Sequence, residues 1–119
     1  MDVNEQQVRI YTKKDGKRPF SDWLRKLRDQ TAQQRIDARL TRVQLGNFGD
    51  SKSVGEGVLE LRVDYGPGYR VYFGRDGQDV VILLVGGDKR TQAKDIDTAR
   101  DYWADYKIRK KEQADDTNN

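Results

Sequence analysis

Hydrophobic and polar residues alternate along residues 58–65 and again along 69–74, on either side of Gly66-Pro67-Gly68. Successive side chains of a strand point to opposite faces, so each segment has one apolar and one polar face. Glycine accepts a positive φ and proline cannot continue a ladder, so the residues between the two segments form a turn. The pattern predicts a β-hairpin that presents Arg62 and Arg70 on its polar face.

Other segments have the spacing of helices or of strands and predict the rest of the fold. The predicted elements are a strand at Val8 and Ile10, helices at about 19–29, 31–46 and 91–109, and a strand at about 79–86. Thr31 is predicted to cap the second helix and Gly46 to end it, before a loop over 46–57. The apolar run 80–85 lacks alternation, which predicts a strand covered on both faces.

The predicted order is therefore βααβββα, an α+β fold. Two N-terminal helices would pack on a small antiparallel sheet, with a further helix at the C-terminus. We expect a single domain over residues 1–111 and a disordered tail over 112–119, where the sequence becomes strongly polar.

The composition excludes several kinds of chemistry. The 119 residues include no cysteine and no histidine, so there is no thiolate or imidazole nucleophile, base or metal ligand. We therefore expect no metal and no cofactor. The longest apolar run, 80–85, is too short for a signal peptide or a membrane span, which predicts a cytoplasmic protein without membrane contact.

Charge is unevenly distributed along the chain, although the net charge is only +3. Between residues 9 and 42 the basic residues far outnumber the acidic ones, and they include Arg25, Lys26, Arg28, Arg35, Arg39 and Arg42. Such a segment is typical of a protein with a polyanionic partner, but a solvated helical face explains it more simply.

Two registers of the hairpin are open. If Tyr65 pairs with Tyr69, Asp64 opposes Arg70 as an ordinary cross-strand ion pair. If the register shifts by two, Arg62 opposes Arg70 directly, and an anion between them would relieve the repulsion. Both registers make the two guanidinium groups neighbours. Each guanidinium group is planar, and its N–H donors match the spacing of phosphate oxygens.

A second candidate site begins at Gly86-Gly87, where the last strand meets the last helix. Free N–H groups at a helix N-terminus favour anions, and Lys89 and Arg90 add charge there. The alternative is a loop with two solvated cations. No dinucleotide or phosphate-loop pattern is present.

The chain resembles the RelE/ParE toxin superfamily, most closely its HigB-like branch of addiction-module killer proteins. The resemblance covers about residues 7–106 and depends on the segments Glu60-Leu61-Arg62, Gly66-Pro67-Gly68-Tyr69-Arg70-Val71-Tyr72-Phe73 and Gly86-Gly87-Asp88-Lys89. It implies a type II toxin that cleaves mRNA on the ribosome and is neutralised by a small antitoxin, commonly a helix-turn-helix protein.

The resemblance also implies residue roles. Arg70 matches the arginine that contacts the scissile phosphate, and Lys89 or Arg90 matches the basic residue after the last strand. The superfamily's catalytic lysines fall at Val58 and Glu60, its C-terminal tyrosine falls near Ile96, and the HigB-type histidines have no counterpart.

On this basis we assign the catalytic residues as Arg62, Arg70, Tyr72 and Lys89, and the RNA-binding residues as Arg90, Gln92 and Lys94. The two arginines would hold the phosphate, Lys89 would protonate or neutralise the leaving 5′-oxygen, and Tyr72 would position RNA or relay a proton. The alternative function is a non-nuclease poison of DNA gyrase or another macromolecule, as in ParE relatives.

Overall fold

A five-stranded mixed sheet forms the centre of the molecule, in the strand order β1-β5-β4-β3-β2. The computed structural model describes residues 4–117. Its elements are β1 (Gln7–Ile10), α1 (Pro19–Lys26), α2 (Gln30–Gln44), β2 (Ser51–Ser53), β3 (Val58–Val63), β4 (Tyr69–Asp76), β5 (Val80–Asp88), a 3-10 turn (Lys89–Thr91) and α3 (Gln92–Thr117).

The element order differs from the predicted one by a strand. β2 lies within the predicted loop 46–57 and pairs antiparallel with β3, which gives the order βααββββα. The sheet is also not purely antiparallel, because β1 pairs parallel with β5. Three residues of edge strand show no alternation that a sequence pattern could detect.

Helix boundaries differ at three points. α1 ends at Lys26, and the N-cap of α2 is Asp29 rather than Thr31, since the Asp29 carboxylate accepts from the backbone N–H groups of Thr31 and Ala32. α3 continues through residues 112–117, which the sequence assigns to a disordered tail. Residues 118 and 119 of that tail lie outside the described residues.

The sheet separates two apolar clusters. Residues of α1 and α2 pack on Leu61, Val71 and Leu83 on one face. Residues of α3 pack on Tyr72 and Leu84 on the other face. β5 is thus covered on both sides, as its continuous apolar run predicts. Within residues 4–117, the helices are too short or too polar to cross a membrane.

Two strand glycines provide room for tryptophan rings. A Cβ at Gly86 would overlap the ring of Trp23 on α1, and a Cβ at Gly74 would overlap the ring of Trp103 on α3. An irregularity in the β4–β5 register, opposite Tyr72 and Phe73, precedes Gly86 and shifts the alternation of β5. The glycines therefore let one helix from each layer approach the sheet closely.

We predict that Gly86→Ala lowers the free energy of unfolding by about 1–3 kcal/mol, because the added methyl group overpacks the contact with Trp23. In a Trp23→Ala background the same change should be nearly neutral, since the ring it meets is gone. Urea denaturation of the four proteins of this double-mutant cycle measures the coupling. If Gly86→Ala lowers the free energy of unfolding equally in both backgrounds, the absence of a side chain at Gly86 is not what accommodates the Trp23 ring.

Candidate phosphate-binding site

The β3–β4 hairpin places two arginines directly opposite each other. Arg62 pairs with Arg70, and Val63 pairs with Tyr69. This is the shifted register of the two open alternatives, so the cross-strand pairing of Asp64 with Arg70 does not form. Like charges at such a position are unfavourable unless an anion compensates them.

The compensating anion is the carboxylate of Glu60, which is fully buried. Its Oε1 lies 3.1 Å from Arg62 Nε and 3.8 Å from Arg70 Nε. Its Oε2 accepts hydrogen bonds from the hydroxyl of Tyr72 at 3.0 Å and from Nε2 of Gln92 at 2.8 Å. One buried carboxylate thus contacts both guanidinium groups on the side away from solvent. Hydrogen bonds from Tyr72 on β4 and Gln92 on α3 fix the position of this carboxylate.

The surroundings of Glu60 favour its ionised form. Burial by itself raises the pKa of a carboxyl group, but hydrogen bonds from Gln92, Arg62 and Tyr72 outweigh burial and hold the pKa of Glu60 below its ordinary value. Burial and the nearby Glu60 charge raise the pKa of Tyr72, which keeps its hydroxyl a neutral donor. The network is therefore charged at neutral pH.

The hairpin turn and the end of β5 bring a third cation to the same place. The backbone N–H of Lys89 donates to the carbonyl of Gly68 at 2.9 Å. A cleft of about 370 Å³ opens above the two arginines. Its lining residues are Asp50, Arg62, Asp64, Gly66, Pro67, Gly68, Arg70 and Lys89. The structure therefore brings together three of the four predicted catalytic residues.

Arg70 is the least accessible of the three cations, with 8% of its surface exposed. Its buried Nε has no hydrogen-bond partner among the described residues, although it faces the Glu60 carboxylate. A buried polar atom without a partner is costly unless a ligand or another group satisfies it. Because this nitrogen faces Glu60, the buried carboxylate at 3.8 Å compensates it, and an anion in the cleft would meet only the part of Arg70 that lines the opening.

The other predicted residues lie outside this opening. Tyr72 is fully buried and Gln92 is half-buried, and both contact Glu60 beneath the cleft. Arg90 is exposed and pairs with Asp88 at 2.8 Å. Lys94 is exposed on the first turn of α3 and does not line the cleft. Tyr72 and Gln92 thus support the arginines rather than face a ligand.

Glycines 86 and 87 serve packing rather than phosphate binding. Gly86 makes room for Trp23, and a Cβ at Gly87 would overlap the carboxylate of Asp95 on α3. Asp88 caps the following turn by accepting from the backbone N–H of Arg90 at 2.8 Å. The Asp88 carboxylate thus occupies the N-terminal donor that an anion would use. Of the two cations, Arg90 pairs with Asp88 and Lys89 lines the cleft of the hairpin.

Sequence reasoning missed Glu60, Asp50 and Asp64 as part of the site. Glu60 did carry a signal, since it precedes Arg62 by two residues and therefore shares its face of the strand. Asp64 carried the same signal, since it follows Arg62 by two residues, whereas Asp50 lies outside the hairpin and reaches the cleft only through the fold. Among residues 4–117, no three His, Cys, Asp or Glu side chains cluster as metal ligands would.

The amino-acid sequence matches a known protein family and another protein of similar sequence. The family model described as Phage derived protein Gp49-like (DUF891) matches residues 22–104. The chain belongs to the Gp49-like family. A Haemophilus influenzae protein named only "Uncharacterized protein" is 54% identical over 81 residues, which cover 68% of this chain and 82% of the relative. The segment matched by the Gp49-like model includes every residue that lines the cleft.

We predict that Glu60→Gln destabilises this Gp49-like protein by about 3 kcal/mol at neutral pH, because two opposed arginines lose their buried counter-charge. Folding lowers the pKa of Glu60, so its stabilisation is present above the ordinary glutamate value and is lost as the pH falls through the lowered value. The difference between the variant and the wild type should therefore shrink below about pH 4.

Urea denaturation between pH 3 and pH 7 measures this difference. Glu56→Gln is the matched control, because the side chain of Glu56 is 72% exposed and its removal should change stability little. A Glu60→Gln cost that is small, or that does not change with pH, would show that the carboxylate does not stabilise the arginine pair.

Proposed function

We propose that this Gp49-like protein is the toxin of a type II toxin–antitoxin pair and cleaves mRNA on the ribosome. The association of the Gp49-like family with toxin–antitoxin systems that contain RelE-like toxins supports the general role. The resemblance of the hairpin to RelE/ParE toxins supports it further. The observation that carries the chemistry is the convergence of Arg62, Arg70 and Lys89 on one cleft.

RNA cleavage needs little from a protein that binds the phosphate well. The ribose 2′-hydroxyl is the nucleophile, so the protein must align it, stabilise charge on the phosphate and assist two proton transfers. Arg62 and Arg70 bind the non-bridging oxygens, because planar guanidinium groups suit paired phosphate oxygens. Lys89, which lines the same cleft, neutralises the leaving 5′-oxygen.

In this proposal, Glu60 holds the two arginines in position before RNA binds. Donors that are already oriented before the reaction stabilise a transition state without the cost of reorganisation. The contacts of Glu60 with Arg62 and Arg70 hold the two guanidinium groups together despite their repulsion. Tyr72 and Gln92 act through this carboxylate and not on RNA. The chain has no histidine to act as a base, so this proposal requires the ribosome to complete the proton transfers.

Induced expression of the protein in bacteria should stop translation and produce cuts inside mRNA reading frames. Arg70→Ala should reduce cleavage by about 10²–10³, as expected for the loss of one donor to transition-state charge. Arg75→Ala is the matched control, because this exposed arginine lies on the same strand outside the cleft. Pulse labelling of protein and DNA synthesis, primer extension on an abundant mRNA and a thermal melt measure the effects.

Two outcomes would contradict this proposal. A well-folded Arg70→Ala protein that keeps full toxicity would remove the phosphate-binding role of the arginine. Loss of DNA synthesis before protein synthesis, with intact mRNA, would favour the gyrase poison instead.

The toxin role requires a partner, and we propose a small antitoxin of the helix-turn-helix type that forms an inactive hetero-oligomer with this chain. An antitoxin with acidic patches would associate quickly with the basic segment 9–42, and added salt should slow this association. Co-expression with the neighbouring small reading frame, followed by affinity purification and a growth assay, measures the interaction. If the neighbouring product neither binds nor restores growth, the proposed pairing is wrong.

A further inference from the structure

Helix α2 presents three arginines that the phosphate-binding site does not use. Arg35, Arg39 and Arg42 follow the spacing of neighbours on one helical face. They line a second cleft of about 230 Å³ together with Ala38, Val63 and Asp64. The sequence suggests a solvated face here, but the arginines converge on a concave surface against the end of β3.

These arginines lack carboxylate partners of their own. Among the described residues, the ion pairs with nitrogen and oxygen within 4.0 Å include none of the three. Burial lowers the pKa of Arg39, and the nearby charge of Arg42 lowers it further, against an opposing effect of Asp50. The cluster is thus positive and only weakly compensated, so an anion entering this second cleft would stabilise it.

The second cleft continues from the first. Asp64 lines both. Arg39 donates a hydrogen bond to the backbone carbonyl of Arg62, whose own guanidinium lies in the first cleft. The pairing of β2 with β3 ends at Ser51 opposite Leu61, and the N–H of Arg62 donates to the carbonyl of Asp50 at 3.0 Å, so Val63 and Asp64 lie beyond the paired segment. A polyanion that crosses the first cleft can therefore pass round the end of β3 to α2.

One of the three arginines, Arg35, also packs against an aromatic ring. The guanidinium of Arg35 lies 4.7 Å from the centre of the Tyr65 ring, and the Tyr65 hydroxyl donates to Asp29 at 3.0 Å. Guanidinium planes and aromatic rings are the surfaces on which unpaired bases stack. This pair favours a single-stranded nucleic acid over an acidic protein as the occupant.

We infer that the second cleft, formed by Arg35, Arg39 and Arg42, binds backbone phosphates of the same RNA strand that crosses the Arg62–Arg70–Lys89 cleft. This inference rests on the proposed function, since it needs RNA in the first cleft. It predicts that affinity grows with RNA length once the strand is long enough to reach α2.

The test compares Arg35→Ala/Arg42→Ala with Lys26→Ala/Arg28→Ala, which removes the same charge from exposed positions outside both clefts. Arg39 is retained, because its contacts with the carbonyls of Arg62 and Phe48 support the fold. Fluorescence anisotropy measures binding of a 2′-O-methyl trinucleotide and a 2′-O-methyl dodecanucleotide, which resist cleavage, over a range of salt concentrations.

The α2 variant should bind the dodecanucleotide at least about tenfold more weakly. Its plot of log affinity against log salt should become shallower by about 1.4, the value for two phosphate contacts on a single strand. Its affinity for the trinucleotide should stay within about twofold, as should that of the control variant for either RNA.

Equal losses for the short and the long RNA, or no loss for either, would overturn the inference. Weaker binding of the antitoxin with unchanged RNA binding would also overturn it, and would assign the cleft to a protein partner. Failure of the proposed function has a separate signature, which is an Arg70→Ala protein that binds the trinucleotide as well as the wild type does.

Discussion

The buried carboxylate of Glu60 is the contact on which the candidate site depends. The hairpin register sets Arg62 opposite Arg70, an arrangement that repulsion alone would disfavour. Glu60 sets one negative charge against the two positive charges from within the protein, and Tyr72 and Gln92 satisfy its other oxygen. The site is therefore an ion network whose outer side is open, so a phosphate in the cleft would add a second anion without displacing the first.

The two helical layers determine where this opening can lie. Helices α1 and α2 cover one face of the sheet, and α3 covers the other. Close contacts of Trp23 with Gly86 and of Trp103 with Gly74 bring those layers onto the strands. On the face that α3 covers, the side chains of Glu60 and Tyr72 are fully buried, whereas the side chain of Arg62, nearer the hairpin turn, is 36% exposed. The same packing leaves the arginine face of α2 beside the end of β3, next to the cleft.

The features that could be predicted from the sequence were those that depend on residues close together along the chain. The alternation around Gly66-Pro67-Gly68 located the hairpin, and the run 80–85 identified a strand covered on both faces. The prediction of Arg62, Arg70 and Lys89 as site residues is consistent with their convergence on one cleft. Tyr72 was expected to face RNA, because alternation places it on the same face as Arg70. Alternation cannot show that α3 covers that face at Tyr72 and leaves it open nearer the turn.

By itself the sequence determined which residues alternate, where the chain turns and which side chains carry charge, because these follow from local backbone geometry. It left two hairpin registers open, since both keep the apolar residues on one face. Only the tertiary structure decided between them. The choice places Glu60 beneath both arginines, where Gln92, from an element 32 residues further along the chain, completes its hydrogen bonds. Burial of a charge is stable only when such distant partners are brought together, and no local pattern contains that information.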